Sequence, residues 1–329
     1  MADTDALSTG RLLRRPGPPR LSRGFPGVQI DDPRFAEVIG EDAQLLVLHE
    51  GASHGEGTVW LPQLGCLLWS DVANRRLLRW READGEVSVA IDGTRFMNGN
   101  ALDRDGRVVH CEHGRRAISR SNADATENAA VEVLVSHFEG KRLNSPNDVV
   151  VAADGAIWFT DPAFGILVPN QGSLAEQELD HQSVYRFDPG TGVLRRMADF
   201  EQPNGLAFSS DGLVLYVSDT SLSLRDIPGE HATGRLHRIE RFDVAANGTL
   251  SNRAFFCNTD HGVPDGLKVD GRGWVWTTAG DGIHVWAPDG RRLGFIPTPE
   301  VAANCCFGGS NGKRLFIAAE SYLLAIDLR

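Results

Sequence analysis

Six residues stand at equivalent places in a phrase that recurs along the chain: Glu56, Asn98, Asn147, Asn204, Asp265 and Asn304. Asn147 opens NDVVVAADGAIWFTD, Asn204 opens NGLAFSSDGLVLYVSD and Asp265 opens DGLKVDGRGWVWTTA, each after a proline (Pro146, Pro203, Pro264). Asn98, Asn304 and Glu56 open the same pattern with weaker flanks. All six carry a side-chain oxygen acceptor. Converging on one point they would make a hard cation site, since carboxylate mixed with neutral amide, without Cys or His, suits Ca²⁺, with Mg²⁺, Mn²⁺ or Zn²⁺ as alternatives. Two carboxylates, Glu56 and Asp265, match a divalent charge. The competing reading is that short polar side chains open strands because they bond to nearby backbone, which accounts for each Asn singly but poorly for Glu56.

The elements that must position these residues follow from the same repeat. Each opening residue leads an apolar strand, a glycine turn and a second strand, and period-two hairpins such as SVYRFDPGTGVLRRMADF follow. Units of about four strands, recurring every 40 to 60 residues or so, are the signature of a β-propeller. The expected fold is all-β: six blades of four antiparallel strands, the last completed by Ala43 to Glu50 from the N-terminal side. In such a ring the first strand of each blade lines a central channel, so the six opening residues surround one axis at one mouth. Residues 29–329 form this single domain, and the Arg- and Pro-rich residues 1–28 form an arm with little structure of its own.

Composition excludes several classes. A net charge of −11 argues against nucleic acid as a partner, and no apolar run reaches the roughly 18 residues of a membrane helix. The five cysteines lack metal-site spacing and read as reduced and buried, which favours a cytoplasmic protein. Asn247-Gly-Thr249 fits the glycosylation pattern, which such a compartment would not use. Whether the chain is a monomer or a homodimer is open at this level.

Further residues qualify as substrate contacts or supports. His54 in SHGEG and His113 in CEHGRR could approach the mouth, Asp148, Asp161 and Asp219 could orient ligands or bond between blades, and Cys305 and Cys306 read as packing. The loops 164–183 and 221–235 are long enough to cover the mouth and to set the substrate.

The phrases GEGTVW, NSPNDVVVAADGAIWFTDPAFG, QPNGLAFSSDGLVLYVSDT, VPDGLKVD and NCCFGG together resemble the SMP-30/gluconolactonase family of six-bladed propellers, most of all its bacterial gluconolactonase branch, from about Glu50 to the C-terminus. The resemblance implies one divalent ion, usually Ca²⁺, and hydrolysis of a small-molecule sugar lactone to the aldonic acid. Carried over by motif, the ligands are Glu56, Asn147, Asn204 and Asp265. Asp265 is then the catalytic residue, assisting water attack as base, with metal-activated water as the alternative. Asn98 and Asn304 become supporting residues beside His113, Asp148 and Asp219. One departure stands out: the family has Pro after Glu-Gly where this chain has Thr58, and Glu50-Gly51 forms a second Glu-Gly pair upstream. Two other functions fit such a site, phosphotriester hydrolysis and a binding platform without catalysis.

Overall fold

The computed structural model describes residues 12–14, 19–22, 26–40, 42–124, 130–221 and 236–329. Within them the Asp-Gly turns close antiparallel hairpins as their chemistry requires; Gly212, for instance, takes φ +73°, a conformation that costs glycine little.

Beside a two-stranded ribbon, His137–Phe138 with Lys141–Arg142, the hairpins assemble into six blade sheets, whose four core strands run outward in sequence order from the inner strand in all but the last blade. Blade one is Gly55–Leu61, Cys66–Asp71, Arg76–Arg81 and Val87–Asp92. Blade two is Met97–Leu102, Arg107–Glu112, Ala117–Asn122 and Glu132–Val135. Blade three comprises Val149–Val151, Ile157–Asp161, Gln182–Asp188 and Val193–Phe200, and blade four Pro203–Phe208, Val214–Asp219, Arg238–Val244 and Leu250–Asn258. Blade five comprises Leu267–Val269, Val275–Ala279, Gly282–Trp286 and Arg292–Pro297. Blade six has Ala302–Gly308, Arg314–Ala319 and Tyr322–Asp327, and its fourth strand is Leu46–Glu50, paired antiparallel with Tyr322–Asp327. The expected closure by an N-terminal strand is therefore what joins the ring.

Each inner strand contacts the inner strands of both neighbours, blade six meeting blade one, so the six surround a common axis. Between successive blades lies one apolar cluster, six in all. Trp69, Trp80 and Phe316 fill the seam between blades six and one, and Trp158, Leu215 and Phe242 that between three and four. Trp276 shares the seam between five and six with Phe35 of the short helix Pro33–Ala36, ring centroids 5.7 Å apart. Burying each such side chain contributes roughly 1.5–3 kcal/mol, and because the clusters sit between blades this energy holds the ring shut.

The stretch 1–28, read from composition as an arm, supplies two short edge strands, and Gln29–Ile30 just after it a third. Leu12–Arg14 pairs with the outer strand of blade one, Arg20–Leu21 with Leu46–Glu50 of blade six, and Gln29–Ile30 with Arg292–Pro297 of blade five. The N-terminal segment thus covers the outer edges of the blades flanking the closure, where an open ladder would otherwise invite pairing with another chain. Among the described residues no helix is long and apolar enough to cross a membrane.

Candidate metal and active site

At the mouth of the channel the inner strand of each blade begins and its second strand ends. Four second strands carry a hydroxyl near that end, and each donates to a carbonyl at the start of the next blade. Ser70 Oγ donates to the Asn98 carbonyl at 2.7 Å, Thr160 Oγ1 to that of Asn204 at 2.6 Å, Ser218 Oγ to that of Asp265 at 2.8 Å, and Thr278 Oγ1 to that of Ala303 at 2.8 Å. In three of these blades the next residue is an aspartate that accepts from the blade's own leading loop: Asp71 from Ser53 N at 2.9 Å, Asp161 from Asn144 N at 2.8 Å, and Asp219 from Glu201 N at 3.0 Å. Each captured amide lies three residues before a proposed ligand, Glu56, Asn147 or Asn204. Asp161 and Asp219 therefore bond within a blade rather than between blades, and they fix the loops that carry the ligands.

Glu56 is 3% exposed and sits in a bulge of its strand. The following Gly57 has φ +54°, and a Cβ there would lie 1.9 Å from the Asn98 carbonyl oxygen, so only glycine lets the turn enter between blades. Thr58 meets Asn304: the Thr58 amide and hydroxyl both donate to Asn304 Oδ1, at 3.2 and 3.1 Å. On the other side Asn100 Nδ2 donates to the Gly57 carbonyl at 2.6 Å. Glu50 ends the closing strand, exposed and paired with Arg20, well away in role from Glu56.

Asn147 is held through its backbone, its amide donating to Thr160 O at 2.9 Å and its carbonyl accepting from Gly99 N at 2.8 Å. The Asn204 side-chain amide donates to the Asp265 carboxylate and reaches Thr220 Oγ1 at 3.4 Å. Asp148 accepts from Val149 N at 2.9 Å through Oδ1, while its buried Oδ2 has no partner. The buried Oδ1 of Asn98 is likewise without one.

Burial pushes the Glu56 carboxyl well above its usual range, and the charges of Asp265 and Asp148 push it further. Burial does the same to Asp265, helped by Asp148 and Glu320, and it also raises Asp148, against the nearby Lys268. The charges of these buried carboxylates thus oppose one another, which is unfavourable unless they are protonated or offset by a cation. Orphaned buried oxygens and an all-oxygen donor set fit a hard divalent ion. Among the described residues no three or more His, Cys, Asp or Glu come together as a metal cluster, so such an ion depends on the amides.

His54 lies beside this group, Nε2 3.9 Å from Glu56 Oε1 and Nδ1 3.3 Å from Glu320 Oε2; burial opposes its protonation, but these carboxylates prevail and its pKa is raised. His113 is fully buried. Its Nδ1 bonds to the Gln171 carbonyl at 2.8 Å, and burial lowers its pKa to about 4. It packs beneath Phe164–Leu167, where a Cβ on Gly165 would lie 2.5 Å from His113 Cβ. Ser145, two residues before Asn147, holds this loop by donating to Pro162 O at 2.6 Å and accepting from Gly165 N at 2.9 Å. Of the other expected lid, 221–235, only Ser221 lies within the described residues.

The sequence reading missed Asn100, Glu320, Ser145 and the donating hydroxyls. A signal existed for the last: WSD, FTD, VSD and WTTA place a hydroxyl at one repeat position.

The family profile described as SMP-30/Gluconolactonase/LRE-like region matches residues 54–321. A gluconolactonase from Zymomonas mobilis is 29% identical over 89% of this chain and 84% of its own. Regucalcin from Danio rerio is 25% identical over 83% of this chain and 85% of its own. Among solved structures, a gluconolactonase from Xanthomonas campestris is 44% identical and superposes with a TM-score of 0.87 over 97% of this chain and 100% of that one.

Proposed function

The chain belongs to the SMP-30/gluconolactonase/LRE-like family, and from that premise we propose that it hydrolyses a sugar lactone to the aldonic acid at a divalent-cation site made by Glu56, Asn147, Asn204 and Asp265. Lactone hydrolysis, a carboxylic ester hydrolase activity, follows from the gluconolactonase relatives. The cation reading is supported above all by one feature: Glu56 and Asp265 are buried carboxylates whose pKa is raised by burial and by the charge of neighbouring acids, Asp148 among them. Oxygen-only donors favour Ca²⁺.

Water attack on a lactone turns the carbonyl oxygen into an oxyanion, after which the ring C–O bond breaks and the ring oxygen takes a proton. A bound divalent cation supplies Lewis acidity toward the carbonyl oxygen and lowers the pKa of adjacent water. Asp265 takes the proton from the attacking water and returns it to the departing ring oxygen, a role suited to a buried carboxylate whose pKa lies above its usual range. Asn204 keeps Asp265 in place through its amide nitrogen, which leaves the amide oxygen for the cation. The short helix Phe164–Leu167 is tied by Ser145 to the loop that carries Asn147 and packs on His113, which makes it a candidate wall for the substrate. The five cysteines are unpaired and buried, which supports a reducing, cytoplasmic setting. A pH-indicator assay over sugar lactones, run with chelator and then with Ca²⁺, Mg²⁺, Mn²⁺ or Zn²⁺ restored, tests substrate and ion together.

A further inference from the structure

We propose that His110 is a positioning residue for Glu56, acting through Asn100 on the turn that carries this carboxylate. His110 is fully buried in the second strand of blade two, and both ring nitrogens are used: Nδ1 bonds to Asn100 Oδ1 at 2.6 Å and Nε2 to Ser121 Oγ at 2.8 Å. The amide oxygen of Asn100 can only accept, so Nδ1 carries the proton and Nε2 accepts from Ser121. Carbonyl acceptors in turn fix which way the Asn100 amide faces. Its Nδ2 points at three acceptors, the Gly57 carbonyl at 2.6 Å, Ser70 Oγ at 2.9 Å and the Asn98 carbonyl at 3.0 Å.

The relay thus runs from the third strand of blade two, Ser121 to His110 to Asn100, into blade one at the Gly57 carbonyl, one residue after Glu56. A reversed Asn100 amide would set its oxygen against two carbonyls, so these keep the sense of the amide, and losing the Nδ1 donor removes the bond that holds Asn100 against the Gly57–Thr58 peptide. Burial holds His110 neutral, with a pKa lowered to about 3, so the tautomer persists across the working pH range. Outer-sphere hydrogen bonds of this kind change cation affinity by about 10- to 100-fold when removed.

The inference rests on the cation reading above. Its test is Ca²⁺ titration by calorimetry of the full chain, wild type against His110→Phe and His110→Asn. The Asn variant keeps an N–H donor where Nδ1 stood; Phe does not. The relay predicts a Kd raised about tenfold or more in His110→Phe and recovered to within about threefold in His110→Asn. A merely structural histidine predicts lower melting temperatures with both affinities unmoved, which overturns the relay. Should His110→Phe not fold, the ¹⁵N shifts of wild-type His110 and the variant Asn100→Ala decide together: the relay predicts the Nδ1–H tautomer and a Kd raised about tenfold or more in Asn100→Ala. An Nε2–H tautomer, or wild-type affinity in Asn100→Ala, overturns the relay. Absence of Ca²⁺ binding by the wild type overturns the cation reading itself, and the relay with it.

Discussion

Asn304 Oδ1 lies 3.2 Å from the amide nitrogen of Thr58 and 3.1 Å from its hydroxyl, so blade six grips the turn that presents Glu56 from blade one. A proline after Glu-Gly would have no N–H to offer, and in this chain the threonine uses the Asn304 oxygen twice. In the reading proposed above Asn304 is thereby a support for the Glu56 turn. Asn304→Ala should raise the Kd for Ca²⁺ by about 10-fold with the fold retained; calorimetry with circular dichroism of the same sample checks both halves.

Asp265→Asn separates base from ligand. The amide keeps an oxygen for the ion but cannot take a proton, so the variant should bind Ca²⁺ and lose about 10²–10⁴-fold in kcat. Turnover near that of the parent, with cation retained, would leave water activated by the ion alone as the base.

Asn204→Leu should weaken Ca²⁺ binding while the melting temperature of the cation-free protein stays close to the parent's, because the strand is also held through the Asn204 carbonyl and Thr160 Oγ1. A turn role alone gives the reverse, lower stability with affinity intact.

Stability against pH carries two opposed contributions. Burial lowers His110 from 6.5 to about 3, so between these values the unfolded chain binds a proton that the folded one refuses, and stability is lost as pH falls below 6.5. Burial raises Asp161 from 3.8 to about 7, so here the folded chain holds the extra proton and stability is lost as pH rises through that window. Each slope approaches about 1.4 kcal/mol per pH unit. Urea unfolding at pH 5 and pH 8 should show His110→Asn flattening the acid-side loss and Asp161→Asn gaining relative stability at pH 8.

The six-fold phrase was legible because a propeller writes its period into the chain: an opening oxygen, a strand, a glycine turn. That much located Glu56, Asn147, Asn204 and Asp265, and it placed Asn98 and Asn304 beside them without telling the six apart. What separates Asn304 from Asn204 is its neighbour across the seam, Thr58, 246 positions away, and sequence spacing is silent about partners brought together by ring closure. Nothing in the spacing singles out His110, because its meaning depends on Asn100 and Ser121 beside it in space. The edge strands at Leu12–Arg14 and Arg20–Leu21 are too short to leave a period of two, and the Arg and Pro around them read as an arm.

The central claim is that lactone hydrolysis depends on an ion held by Glu56, Asn147, Asn204 and Asp265. Turnover of a sugar lactone followed with a pH indicator, beside the metal content of the same preparation, tests it most directly. The account predicts one divalent ion per active chain, activity abolished when chelator removes it, and activity restored by Ca²⁺ in the parent but not in Asp265→Asn. Full turnover by chelated, metal-free protein would contradict it.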